Sequence, residues 1–167
     1  MNSQHWLKPK WEPKLILPEI PIDHLLEKDI KAIIIDVDKT LLSSNEKTPH
    51  PKIKSWIDRA SNKFTLHIAS NNPSKNRIEL VAKILDLPYT YLAGKPRTGS
   101  IVKVIELIKQ PNNKIAIIGD RIFTDILVGN RLGLYTILTK PLGNNGLENK
   151  NVLLQKIEKR IANFFGA

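Results

Sequence analysis

The stretch KAIIIDVDKTLL, residues 31–42, decides the fold. A run of apolar, mostly β-branched residues ends abruptly in two carboxylates, Asp36 and Asp38, with Thr40 two places on. A short apolar run of this kind reads as a strand covered on both faces of a parallel sheet. In open α/β sheets, ligands bind beyond the carboxyl ends of the strands. Two carboxylates there, beside a hard cation, can divide phosphoryl transfer between them: one attacks phosphorus while the other gives and takes a proton. Read alone, the stretch also fits a strand capped by solvated acids, or a chance calcium loop.

The pattern recurs along the chain. FTLHIASNN, residues 64–72, puts Ser70 at the end of a second apolar strand. YLAGKP, residues 91–96, puts Lys95 after a short third one, and KIAIIGDRIFTD, residues 114–125, ends a fourth at Gly119-Asp120 with Asp125 following. A hydroxyl, an ammonium and further carboxylates therefore follow successive strands, which points to phosphoryl-transfer chemistry.

The chain has 167 residues, enough for one domain with a substantial core. Without cysteine it can form no disulfide, thiolate nucleophile or cysteine-ligated zinc site, and a reducing cytoplasm fits. No apolar run approaches the roughly 18 residues needed to cross a bilayer, and the N-terminus lacks the apolar stretch of a secretory signal, so a soluble or peripheral protein is expected. A net charge of +10 suits an anionic partner, although a bias toward Lys, Ile and Asn could also arise from AT-rich coding. No nucleic-acid module is recognisable, and His5, His24, His50 and His67 have no metal-site spacing.

The alternation of strands and helices predicts a doubly wound parallel sheet in an α/β fold. Residues 1–29, with Pro9, Pro13, Pro18, Pro21, Trp6 and Trp11, read as an extended arm, and 30–167 as the domain. Strands are expected near 31–36, 64–69, 89–92, 114–118 and 135–138. Helices are expected from an opening at Pro49 and Pro51 to near Ser61-Asn62, over 75–85, 98–108 and 124–131, and over 147–165. On 75–85 the spacing places Ile78, Val81, Ala82 and Leu85 on one face. On the last helix, Leu153, Leu154, Ile157, Ile161, Phe164 and Phe165 form one stripe, with Lys150, Lys156, Lys159 and Arg160 largely off it. The expected use of that stripe is docking on the sheet; the sharper reading is a membrane-facing amphipathic helix.

Asp36-Val37-Asp38-Lys39-Thr40, Ser70, Lys95 and Gly119-Asp120 through Asp125 resemble motifs one to four of the haloacid dehalogenase (HAD) superfamily of phosphatases. The finer wording, SNN, GKP and GDRIFTDILVGNRLG, resembles the subfamily IIIA, YqeG-type branch, related to the mitochondrial and plastid phosphatidylglycerophosphatases. The resemblance implies that Asp36 is the nucleophile, forming an aspartyl-phosphate, and that Asp38 protonates the leaving oxygen and then activates water. It gives Ser70 a hydrogen bond to the phosphoryl oxygens, shared with the backbone N–H of Asn71. Lys95 would neutralise the phosphoryl charge and restrain Asp36. Magnesium would sit on Asp36, the backbone carbonyl of Asp38, and Asp120, with Thr40 and Asp125 supporting from behind. Magnesium takes oxygen ligands and is commonly held by one or two carboxylates plus substrate oxygens. One position departs from the pattern: the residue before Thr40 is more often Asn or Gly in that superfamily, and here it is Lys39.

The interval between Asp38 and Ser70 is mostly taken by one helix, and that between Ser70 and Lys95 is shorter still. Neither can hold the cap domain that closes many HAD sites over small metabolites, so the site is expected to be open to phosphates on bulky groups. These readings combine in a magnesium-dependent phosphomonoesterase, with phosphatidylglycerophosphate as the leading substrate. It would be cytoplasmic, with peripheral contact to an anionic membrane; no protein partner is inferred. The alternatives are a phosphatase for soluble or macromolecular phosphomonoesters, and a non-catalytic partner-binding domain that keeps the fold.

Overall fold

Among the described residues five short strands, β1 (Ala32–Ile35), β2 (Thr65–Ala69), β3 (Tyr89–Thr90), β4 (Ile115–Gly119) and β5 (Tyr135–Leu138), form one parallel sheet in the order β3-β2-β1-β4-β5. The structure is a computed structural model that describes residues 6–150 and 152–166. The first five residues of the expected arm, His5 among them, lie outside the described residues. Side chains alternate across the sheet with a period of two. Ile33 and Ile35 of β1 therefore join one core cluster, and Ala32 and Ile34 join the other. Because both faces are covered, the strand reads as a continuous apolar run.

Helices supply the two covering layers. On the Ile33 face lie α2 (Pro51–Ser61), through Ile53, Trp56, Ile57 and Ala60, and α3 (Lys75–Leu85), through Ile78, Val81, Ala82 and Leu85. On the Ile34 face lie α4 (Gly99–Ile108), through Ile101, Val104 and Ile108, and α5 (Leu127–Arg131), through Val128. Local chemistry sets the helix starts. Pro51 occupies the first turn of α2, where no N–H is required. Ser74 Oγ accepts the Arg77 N–H at 3.4 Å to cap α3.

The chain runs outward from β1 to β2 and β3, then returns to lay β4 on the other side of β1. The strand order thus reverses between β1 and β4, the place where open α/β sheets bind ligands. Asp36 follows β1 there, and Asp120 follows β4.

The segment ahead of β1 is packed into this domain. It contains α1 (Ile22–Glu27), and Ile16, Leu17, Ile20 and Leu25 are buried in the same cluster as α2 and α3. The Trp56 indole, fully buried, donates to the Ile20 carbonyl at 2.8 Å, which satisfies its N–H and staples the segment to α2. Trp11 extends the sheet edge: its N–H donates to Thr136 O and its carbonyl accepts from the Leu138 N–H, both at 3.0 Å. Its ring stacks on His24 with centroids 3.8 Å apart. A separate arm therefore describes neither the packing of residues 11–29 nor the position of Trp11. Truncating Trp56 to Ala would cost about 3–5 kcal/mol, because the cavity would lie between two anchored elements.

Two further expectations change. Residues 122–126 form a wide π-type turn before the short α5, in place of one helix from 124. The last helix, α6 (Leu153–Phe164), starts later than expected and is turned the other way. Its buried residues are Gln155, Glu158 and Ala162, while the expected docking stripe is exposed. Docking of that stripe on the sheet is therefore overturned. The polar pair is drawn inward by unsatisfied groups of the loop after β4.

Candidate active site

At the carboxyl ends of β1 and β4 a cavity of about 180 Å³ is lined by Asp36, Asp38, Lys39, Asn71, Lys95, Asp120, Arg121 and Thr124. Its floor is a buried ionic cluster. Lys95 Nζ donates to Asp36 Oδ1 at 2.8 Å, to Asp125 Oδ1 at 2.5 Å and to the Ala69 carbonyl at 2.7 Å. All three donors of the ammonium are thus directed, as burial of a charge requires. Burial alone would depress the Lys95 pKa, but the carboxylates of Asp125 and Asp36 outweigh it and hold it above the ordinary lysine value.

Asn71 positions Lys95 from its own backbone. Its side-chain amide donates to Lys95 O at 2.7 Å, and its carbonyl oxygen accepts the Lys95 N–H at 2.8 Å. The tip of β2 and the GKP loop are joined by this two-way clamp. Ser70 is buried beside it, and its Oγ accepts the Asn72 N–H at 3.1 Å.

The carboxylates differ in environment. Asp36 is raised to about 7, chiefly by burial, with the Lys95 charge opposing and the Asp125 charge adding to the rise. Asp120 is raised well above the ordinary carboxylate range, first by burial and then by Asp36 and Asp125; the charges of Arg121 and Lys39 oppose. Asp38 lies nearer solvent. Its Oδ2 accepts from Asn72 Nδ2 at 2.9 Å and its Oδ1 from an Arg77 guanidinium nitrogen at 3.3 Å. Arg77 is itself fixed by Ser43 O and Glu46 O, at 3.2 and 3.1 Å.

Ligand atoms of Asp36, Asp120 and Asp125 all lie within 4.8 Å of one another. Three buried carboxylates face one ammonium, and no donor among the described residues reaches the Asp120 carboxylate. That donor set fits a hard divalent cation, which prefers oxygen ligands. The Asp38 side chain stands outside the trio, and among the described residues no donor reaches its backbone carbonyl. Asp125, expected only as a support, belongs to the trio.

Glycine at 119 has a steric cause. A Cβ there would collide with the Asp125 carboxylate, so the Gly119-Asp120 peptide leaves the room in which Asp125 meets Lys95. Lys39 has φ 61°, the left-handed conformation favoured by Gly and Asn. Its peptide is held in this turn: Lys39 N–H donates to Leu42 O at 2.7 Å, and Lys39 O accepts the Leu142 N–H at 2.6 Å. Thr40, buried two places after Asp38, has no hydrogen-bond partner for its hydroxyl among the described residues.

Of the expected residues, Asp36, Asp38, Asn71, Lys95 and Asp120 line the cavity and Asp125 meets Lys95 beneath it, whereas Ser70 and Thr40 are buried and do not line it. Asn72 and Arg77 were missed. SNN and the helix start at Lys75 offered a signal, because a polar residue after Ser70 and a basic one on the first turn of α3 both point back toward β1.

The chain is 30% identical over 124 residues to Probable phosphatase YqeG of Bacillus subtilis (strain 168), covering 74% of this chain and 72% of that one. It is 27% identical to the mitochondrial Phosphatidylglycerophosphatase GEP4 of Saccharomyces cerevisiae (strain ATCC 204508 / S288c), covering 93% of this chain and 89% of that one. A solved Legionella pneumophila chain, assigned to the hydrolases of HAD subfamily III A, superposes with a TM-score of 0.50 at 14% identity, over 85% of this chain and 88% of that one. That likeness carries the fold. Residues 4–143 match the family described as Mitochondrial PGP phosphatase; the chain belongs to this family and is a phosphatase with a HAD-like fold.

Proposed function

We propose that the chain hydrolyses the terminal phosphomonoester of phosphatidylglycerophosphate through an aspartyl-phosphate on Asp36, with magnesium as cofactor. The observation that carries the chemistry is the Lys95 ammonium shared between Asp36 and Asp125 beneath an open cavity. The substrate reading rests on family membership and on the segments beside the cavity, where α2 alone lies between β1 and β2 and α3 alone between β2 and β3, with no cap domain among the described residues.

In this reading Lys95 and the Asn71 clamp hold Asp36 still, with one carboxylate oxygen bonded and the other directed to phosphorus. A fixed nucleophile converts attack into an effectively unimolecular step. Asp38, held by Asn72 and Arg77, gives its proton to the departing glycerol oxygen and then takes one from water. The Ser70 hydroxyl accepts from Asn72, so its own proton is free for a phosphoryl oxygen. Asn71 contributes its backbone N–H, since its side chain is occupied by Lys95. Lys95 offsets negative charge as it develops on the phosphoryl group. Asp36, Asp120 and Asp125, with the Asp38 carbonyl, would hold magnesium, which when bound neutralises part of the charge of phosphate and carboxylates.

Arrival at a lipid phosphate requires contact with an anionic surface, to which the +10 chain is suited. The test is phosphate release from lipid, nucleotide, sugar and protein phosphates, with magnesium or with chelator. The expected result is magnesium-dependent release with phosphatidylglycerophosphate preferred. Preference for a soluble phosphate would replace the lipid substrate, and full activity in excess chelator would remove the metal.

A further inference from the structure

The outward face of α6 is unusual for a helix packed on a sheet. Leu153, Leu154, Ile157, Ile161, Phe164 and Phe165 are all exposed, Phe164 at 86%. The face turned inward is polar. Gln155 Nε2 donates to Asp120 O and to Thr139 O, both at 2.9 Å. Glu158 accepts the Ile122 N–H at 2.9 Å and the Arg121 Nε–H at 2.6 Å. The helix is therefore fastened to the loop that carries Asp120, and Arg121 also lines the catalytic cavity.

We propose that α6 is a lipid-docking helix, inserting its apolar face into an anionic bilayer and anchoring the Asp120 loop to that surface. This rests on the lipid-substrate reading above. Charge selects the occupant. The one acid of α6, Glu158, is buried and paired, whereas Lys156 and Arg160 are exposed on the side of the helix bordering the apolar face. Exposed Lys150 precedes the helix. An apolar arc bordered by cations, without exposed acids, is the pattern of a helix lying in an anionic interface. A second copy seated on the same face would bring these cations together with no acid from α6 to pair them. Trp11 is unavailable for this contact, being stacked on His24 and paired to β5.

The geometry gives docking a consequence for catalysis. Gln155 and Glu158 tie α6 to Asp120 and Arg121 directly, so a helix held at the interface keeps the cavity near the head groups. The side chains that insert differ from those that hold the loop, and the two roles can be separated by substitution.

The test compares the natural chain with an Ile157→Ser, Phe164→Ser double variant, both positions being exposed. Binding is read by co-sedimentation with phosphatidylcholine vesicles, with and without phosphatidylglycerol, at low and high salt. Hydrolysis of a small soluble aryl phosphate and of phosphatidylglycerophosphate is measured in parallel, the latter in vesicles and in detergent micelles. The natural chain should bind the anionic vesicles in a salt-sensitive way, and the double variant at least about tenfold more weakly, with aryl phosphate hydrolysis unchanged. Equal binding by both chains, or no binding by either, would overturn the docking role even if micellar lipid were hydrolysed. Self-association of the natural chain, abolished in the variant with no vesicle binding, would assign the face to a second copy and also overturn it. Variant-sensitive vesicle binding without release from the lipid phosphate in either form would retain the docking helix and reject the substrate.

Discussion

Nζ of Lys95 lies 2.8 Å from Oδ1 of Asp36, and the pair is nearly sealed from solvent at the foot of an open cavity. An ammonium buried there is stabilised only because it also meets Asp125 and the Ala69 carbonyl. Such a group is worth its desolvation only when every partner is in place.

Replacing Lys95 by Met should therefore cost both stability and turnover. Asp36 and Asp125 would be left as unpaired buried carboxylates, a loss of about 3–5 kcal/mol for a broken buried pair. Loss of the positive charge that holds Asp36 beneath the cavity should lower turnover by about 10²–10³. Denaturant unfolding and aryl phosphate hydrolysis read the two effects. A variant as stable and active as the natural chain would contradict the cluster's role.

The pH dependence follows from the raised carboxylates. Asp36, at about 7, and Asp120, also raised, bind protons in the folded chain that they release when unfolded. Their stabilising contribution in metal-free protein is present in full below the unfolded value near 4. It is lost as pH rises through the folded values. Magnesium should replace those protons, so the increase in melting temperature on adding it should grow from pH 5 to pH 8. Melting curves in chelator and in magnesium measure this. Stabilisation independent of pH would contradict proton–metal exchange at these carboxylates.

Arg77→Met should lower turnover by about tenfold to a hundredfold, within the range that a positioned acid contributes. It frees Oδ1 of Asp38 while leaving Asn72 in contact with Oδ2. The loss should shrink for an aryl phosphate whose leaving group needs no proton. An equal loss for activated and unactivated leaving groups would show that Arg77 acts otherwise.

Gly119→Ala should be inactive while its sheet persists, because the new methyl displaces the Asp125 carboxylate from Lys95. Retained hydrolysis would show that Asp125 need not occupy this position.

Much of this was legible because the fold places its chemistry where strand periodicity ends. IIIDVD reads as β1 and its site together, and SNN, GKP and IIGD repeat the reading. What the sequence hid was set by packing at a distance. Trp11 and Ile16 to Leu25 look like an arm because prolines interrupt every local pattern. Trp56, on a helix further along the chain, fixes the segment at Ile20, and β5 and His24 fix Trp11. The α6 stripe has core-like spacing, and no local signal shows that the loop at Asp120–Ile122 would claim Gln155 and Glu158 instead. Arg77 belongs to a helix whose apolar face was plain, while its polar contacts depend on how α3 lies against the loop after β1. The departure at Lys39 became intelligible only with its left-handed backbone.

The most direct test of the account is to trap the phosphorylated chain. Protein mixed with magnesium and phosphatidylglycerophosphate radiolabelled in its terminal phosphate would be quenched in acid and digested. The account predicts an acid-stable, hydroxylamine-sensitive label on the peptide containing Asp36, absent from Asp36→Asn. Turnover of the lipid without any label on the chain, or a label that persists in Asp36→Asn, would contradict it.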